Sequence, residues 1–152
     1  MRAQRVRRAW FSNMDESLDH AIHHSSVAEI RKLIDLGADP NYESDEGYPS
    51  LLSALSAERA DKHEVLEILL DAGADVSQRG INDWTPLHYA ASQDDVRAIE
   101  LLAAKGADLN ARTRIDDGAT PLEEAEILGK GAAVAALKRL AASISDQISS
   151  ST

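Results

Sequence analysis

Residues 83–93 read DWTPLHYAASQ, and the first seven positions hold an acid (Asp83), a hydroxyl (Thr85), a histidine (His88) and two aromatics (Trp84, Tyr89). Two readings compete. Asp, Thr and His at this density suggest acid–base or nucleophilic chemistry. The same residues also punctuate a helix start. Thr85 can cap the helix by accepting a backbone N–H bond, and Pro86 then takes the first helical position, where no N–H is missed.

The rest of the chain decides between them through its period. The triplet Gly-Ala-Asp occurs at Gly37–Asp39, Gly73–Asp75 and Gly106–Asp108, at intervals of 36 and 33 residues. Four residues before each glycine lie Leu33, Leu69 and Leu102, and seven before lie Ile30, Leu66 and Ile99, which makes one apolar stripe on a helix. An earlier helix belongs to each unit. Leu18 and Ala21 precede Gly37 by the same distances at which Leu87 and Ala90 precede Gly106. A fourth unit opens at Thr120-Pro121-Leu122, continues through Ala125, Val134 and Leu137, and lacks the closing glycine triplet, as a last repeat with nothing stacked on it should. Gly37, Gly73 and Gly106 are placed to stop each second helix in a left-handed conformation. Each unit is therefore predicted as helix, tight turn, helix, glycine stop and exposed loop.

Thr85-Pro86-Leu87-His88-Tyr89-Ala90-Ala91, closed by Gly106-Ala107-Asp108-Leu109-Asn110, resembles the ankyrin repeat, and the resemblance covers about residues 14–142. It implies an all-α fold: an ankyrin-repeat solenoid of four helix-turn-helix units, stacked in an L shape with hairpin-like loops projecting as fingers. The units are expected at about 14–46, 47–82, 83–117 and 118–142. The first, Leu18-Asp19-His20-Ala21, lacks Thr-Pro and resembles a capping repeat. The second has its proline one position early, at Pro49, and three extra residues near Ser56–Lys62. The loop over Ala111–Ala119 carries two extra residues.

Composition bounds the function. The chain has 152 residues, no cysteine and a net charge of −10. Without cysteine there are no disulfides and no thiolate metal sites. No apolar run approaches the roughly 18 residues of a membrane helix. Residues 1–13 hold four arginines and no acid, so residues 14–152 carry 12 basic and 26 acidic side chains, a charge of −14. That body argues against nucleic acid and favours a neutral or basic protein surface. The basic start turns polar too soon for a secretory signal and has some transit-peptide character; it is expected as a disordered extension, or as residues upstream of a true start at Met14. Residues 143–152 are expected as a frayed polar tail. The expected setting is cytoplasmic and monomeric, with no membrane or cofactor.

Candidate sites divide into structure and contact. The resemblance gives His88 a structural role, its imidazole bonded to loop backbone and a Thr-type hydroxyl, with Thr85, Pro86, Gly37, Gly73 and Gly106 as further scaffold. His20 and His24 share a helix face at i, i+4 and can begin a metal site, with His23 beside them; HExxH is absent and no metal is expected. Gly129-Lys130-Gly131 reads as a turn, because no strand or upstream glycine precedes it. No catalytic residues are expected. The aromatics Trp84, Tyr89, Tyr48 and Tyr42 fall at positions that vary among ankyrin repeats, and exposed aromatics make binding anchors. Arg79, Asn82, Arg112, Arg114, Asp116, His20, His24 and Gln93 supply polar contacts around them. The expected function is a non-catalytic scaffold that binds a protein through its concave groove and fingers. The alternatives are an inhibitor or immunity protein that neutralises a basic enzyme and, behind it, a His-cluster metal-binding protein.

Overall fold

The computed structural model describes residues 2–115 and 118–151, with side chains from Asn13 onward. The described residues form eight α-helices in two compact units, Met1–Gln78 and Arg79–Thr152. Four helix pairs are present, as the repeat predicts.

Unit one holds α1 (Arg2–His24), α2 (Val27–Asp35), α3 (Ser50–Ser56) and α4 (Lys62–Asp71). Helix α1 packs on α2 and α3, and α4 packs on α3 and α2. The predicted stripe residues Leu18, Ala21, Ile30, Leu33, Leu66 and Leu69 are buried, and Ile22 from α1, Leu51 to Leu55 from α3 and Val65 from α4 join them in the core. A lone helix pair cannot hide both apolar faces, and stacking a second pair on it does.

Unit two repeats the arrangement with α5 (Pro86–Ser92), α6 (Val96–Ala104), α7 (Pro121–Ile127) and α8 (Gly131–Ser150). Helix α5 packs on α6 and α7, and α8 packs on α7 and α6. Leu87, Ala90, Ile99, Leu102, Ala125, Ala133 and Leu137 form the core. Ala91, Ala98 and Ala136 are buried with them, so six of the ten buried apolar side chains of this unit, prolines aside, are alanine and the core is built from small residues.

The glycine stops work as predicted. Gly37 and Gly73 both adopt φ +98° and Gly106 +90°, where a side chain would be strained. The next residue then bonds back across the turn: Ala38 N–H to Leu33 O (3.0 Å), Ala74 to Leu69 (2.9 Å) and Ala107 to Leu102 (3.0 Å). The same leucine thus anchors the apolar stripe and accepts one of the last backbone bonds of its helix.

Both ends differ from expectation. Residues 2–13, expected as a disordered extension, are the first half of α1; no glycine or proline interrupts Arg2–His24. Met1 lies outside the described residues. Helix α8 runs to Ser150 and takes in most of the expected tail, again without a breaker after Gly131.

The three extra residues near Ser56–Lys62 have a structural use. Arg59 Nη1 donates to Ile22 O (2.8 Å) and Nη2 to Ser25 O (2.9 Å), at the C-terminal end of α1, and Asp61 holds the guanidinium from the other side (Nη2 to Oδ2, 3.0 Å). A cation there satisfies orphan carbonyls and complements the negative end of the helix dipole.

Candidate functional site

In unit two the stretch from Arg79 to Gln93 runs through a finger turn into α5. Gly80 N–H donates to Trp84 O (3.1 Å), closing a tight hairpin with Asp83 in the left-handed region at φ +60°. Thr85 caps α5. Its backbone N–H donates to His88 Nδ1 (3.3 Å), its hydroxyl lies 2.8 Å from the same nitrogen, and His88 N–H returns a bond to Thr85 Oγ1 (3.4 Å). Because Nδ1 accepts, the ring proton sits on Nε2, which donates to Ala119 O (3.0 Å) in the next loop. His88 is fully buried, and burial pushes its pKa below the ordinary histidine value. Both ring nitrogens are occupied by scaffold, so the imidazole holds no position from which to act as a base. At the corresponding place in the fourth helix pair, Glu123 makes the same capping box with Thr120, and the backbone bond from Thr120 lowers its pKa.

Trp84 and Tyr89 are half-buried rather than free. Their rings meet edge to face at 5.2 Å between centroids, and Trp84 also stacks on His88 at 6.3 Å. Tyr89 Oη donates to Asn82 Oδ1 (3.2 Å), which also accepts from Trp84 N–H (3.3 Å). Asn82, Trp84 and Tyr89 are therefore one cluster, prearranged where the finger meets α5. Gln93 lies exposed at the C-terminal cap of that helix.

The three arginines expected as partner contacts are already ion-paired within the unit. Arg79 Nη1 reaches Asp83 Oδ2 (3.1 Å), Arg114 Nη2 reaches Asp83 Oδ1 (2.6 Å), and Arg112 pairs with Glu123 (3.2 Å) while donating to Gly118 O (2.7 Å). The Arg114 guanidinium and backbone N–H, in that order, hold the Asp83 carboxyl down at about 2. Asp116 lies outside the described residues.

In unit one, Tyr42 and Tyr48 belong to the first finger, where Ser44 N–H donates to Tyr48 O (3.0 Å) and Ser50 N–H to Tyr42 O (2.9 Å). Both rings are half-buried. Burial raises the Tyr42 pKa, and the carboxylates of Asp45, Glu16, Asp19 and Asp15 raise it further. His20 and His24 stand exposed on α1 with ring centroids 4.8 Å apart. Among the described residues no three His, Cys, Asp or Glu side chains converge where a metal could sit, so the pair finds no third ligand there. His20 does line an open groove of about 390 Å³ with Glu16, Ser17, Glu29 and Leu33. No described helix is long and apolar enough to cross a membrane.

Two residues that matter were not singled out by sequence reasoning, Asp83 as an anchor and Arg59. The signal for Asp83 was present: it stands two positions before Thr85, as Gly118 stands before Thr120.

Comparison with known proteins agrees with the geometry. A family model described as ankyrin repeats, in three copies, matches residues 55–147. The chain is 33% identical over 118 residues to the human "SH3 and multiple ankyrin repeat domains protein 2", covering 78% of this chain and 6% of that protein. It is 29% identical over 128 residues to the "RelA-associated inhibitor" of Mus musculus, covering 84% of this chain and 15% of the relative. It is 40% identical over 65 residues to "Protein PhlB" of Serratia liquefaciens, covering 43% of this chain and 28% of that one. The chain thus spans less than a third of the length of each of these relatives.

Proposed function

Because the chain belongs to the ankyrin repeat family, whose repeats generally mediate protein–protein interaction, we propose that it is a non-catalytic module that captures a protein partner through its fingers and the helix starts behind them. One observation carries this reading. Neither Trp84 nor Tyr89 is among the buried residues of unit two, yet both aromatics are fixed against each other at the finger–helix junction and stay only half-buried. Rigid aromatic anchors lose little conformational freedom when they bind. Affinity capture with the wild type, followed by identification of what it retains, supplies the partner. Trp84→Ala with Tyr89→Ala should abolish that capture while helical content stays native. A folded double variant that captures as well as the wild type would remove these residues from the site.

A second reading, an inhibitor of a basic enzyme, draws on charge. From Met14 to Gln78 the chain carries 4 basic and 15 acidic residues, a net −11. Such a surface steers a cationic partner, and the association rate should fall steeply with salt. A captured basic enzyme that keeps full activity when saturated with this protein excludes inhibition and leaves binding.

A further inference from the structure

Three fingers of this chain close in a comparable way, and one of them does so with the wrong residue. In finger one (residues 41–50) the left-handed turn position is Gly47, φ +79°, and in finger three (residues 112–120) it is Gly118, φ +67°. In finger two (residues 79–85) it is Asp83, φ +60°. A side chain is disfavoured in that region, and such strain persists only where the surroundings over-determine it. Here they do. The Asp83 carboxylate accepts from Arg79 Nη1 (3.1 Å), from Arg114 Nε (2.9 Å) and Nη2 (2.6 Å), and from the Arg114 backbone N–H. Arg79 also donates to the Asp83 carbonyl (2.8 Å). Glycine would fit this backbone more easily, but it could accept none of the carboxylate bonds.

Finger three is the loop that needs such an anchor. Its closing bond, Thr113 N–H to Ala119 O (3.2 Å), spans two residues more than Gly80 N–H to Trp84 O in finger two. Within the longer turn Arg112 Nη1 also donates to Gly118 O (2.7 Å), while Asp83 supplies the tie to the neighbouring finger. The Asp83 side chain is only 9% exposed, whereas the Arg114 side chain bound to it is 75% exposed and Ile115 is 47% exposed. One sequestered carboxylate therefore holds the base of a loop whose contact groups face solvent.

We propose that Asp83 is the positioning residue of the recognition surface of unit two: it fixes the Arg114 end of finger three to finger two, so that a partner meets Arg114, Ile115 and finger two as one preformed surface. This rests on the reading of the fingers as the protein-binding side. Preorganisation of this kind strengthens binding by sparing the loop an ordering cost on association.

The test uses the full chain and needs no partner. Amide exchange is followed by NMR in the wild type, Asp83→Gly and Arg114→Gln, with trypsin cleavage after Arg114 followed in the first two. Asp83→Gly keeps the left-handed backbone and removes only the anchor. The residue-114 amide, which donates to the Asp83 carboxylate, should exchange at least about tenfold faster in Asp83→Gly and by less in Arg114→Gln, which keeps that backbone bond, and cleavage after Arg114 should accelerate about tenfold in Asp83→Gly. The amides of Ile99 and Leu102, both bonded within α6 and buried, should keep their wild-type rates, which separates a freed loop from a loosened core. Asp83→Asn, which retains one acceptor oxygen, should recover part of the protection. Unchanged exchange at Arg114 in folded Asp83→Gly overturns the proposal, as does acceleration confined to global unfolding. Neither result depends on capturing a partner, so failure here is distinguishable from failure of the binding assay.

Discussion

Acidification from pH 7.5 to 5.5 should weaken this protein through one buried histidine. His88 is fully buried, and its neutral ring accepts from Thr85 N–H and donates to Ala119 O. A proton on Nδ1 would turn that acceptor into a donor facing a donor. Burial is the leading cause of its lowered pKa; Arg79 adds to it, while the Ala119 carbonyl and Asp83 oppose it. The unfolded chain takes up a proton near pH 6.5 that the folded chain refuses. The contribution is therefore intact above that pH and drains away as the pH falls through it. At pH 5.5, one unit below, the unfolded state gains RT ln(1 + 10), so the loss reaches up to about 1.4 kcal/mol. With a urea dependence of roughly 2 kcal/mol per molar, the midpoint should move by about 0.7 M. The assay is urea unfolding at several pH values for the wild type and His88→Gln, which does not titrate. The other four histidines cancel in the difference. The carboxylates with lowered pKa values, Asp61, Asp75, Asp83 and Glu123, lose their contributions only below about pH 4.5. If the two proteins lose stability in parallel between pH 7.5 and 5.5, His88 is not held neutral by its site and the capping assignment is wrong.

Other perturbations follow from single contacts. Arg59→Ala leaves the end of α1 without its cation, and since that side chain is only 12% exposed, the expected loss is about 2 kcal/mol in urea unfolding. A loss under about 0.5 kcal/mol would mean that water replaces the guanidinium. Gly106 and Gly131 both have open space where a Cβ would stand, but only Gly106 has positive φ. Gly106→Ala should therefore cost about 1–2 kcal/mol and Gly131→Ala should stabilise by about 0.5–1 kcal/mol, which differential calorimetry reads as melting shifts of opposite sign. Asp94 closes α5 at φ +58° and accepts Ala133 N–H (2.7 Å) in the first turn of α8. Asp94→Ala should cost about 2 kcal/mol, strain plus lost cap, and Asp94→Gly about half of that in the same melts; equal losses would show that the backbone conformation contributes nothing.

What could be read from the sequence was what recurs. Leu33, Leu69 and Leu102, and Ile30, Leu66 and Ile99, are buried because each unit reuses the same helix face, and a period of 33 to 36 residues makes that reuse visible in one dimension. Thr85 and Thr120 are legible as caps because their partners lie three residues away. The features that escaped join residues far apart in the chain. Arg59 reaches carbonyls up to 38 residues earlier, Asp83 reaches Arg114 31 residues later, and Asp94 reaches Ala133 39 residues later. No local rule marks such a pair. The composition of the candidate site was legible, its state was not: Trp84 and Tyr89 lean on each other, and Arg79, Arg112 and Arg114 are paired within the unit.

The two insertions that set this chain apart from a regular repeat look alike in sequence and differ in what they do. Each brings an arginine that binds oxygen atoms elsewhere in its own unit. Arg59 turns inward onto the carbonyls at the end of α1, and its insertion becomes part of the framework. Arg114 binds a carboxylate that is itself sequestered, and its guanidinium and the neighbouring Ile115 stay at the surface. Length of insertion is therefore a poor guide to function, whereas exposure of the inserted side chains is a usable one. The contrast gives two unlike mutants for any captured partner. Arg59→Ala should weaken capture only to the extent that it unfolds the protein, and lowering the temperature should restore it. Ile115→Asp adds a charge to an already exposed position and should leave the melting temperature within about 2 °C of wild type. If finger three meets the partner, the same variant should lower affinity at least about tenfold, because a carboxylate must then be desolvated against an apolar contact. Full capture by Ile115→Asp would place the contact on another part of the protein and leave the Asp83 anchor holding a loop that recognises nothing.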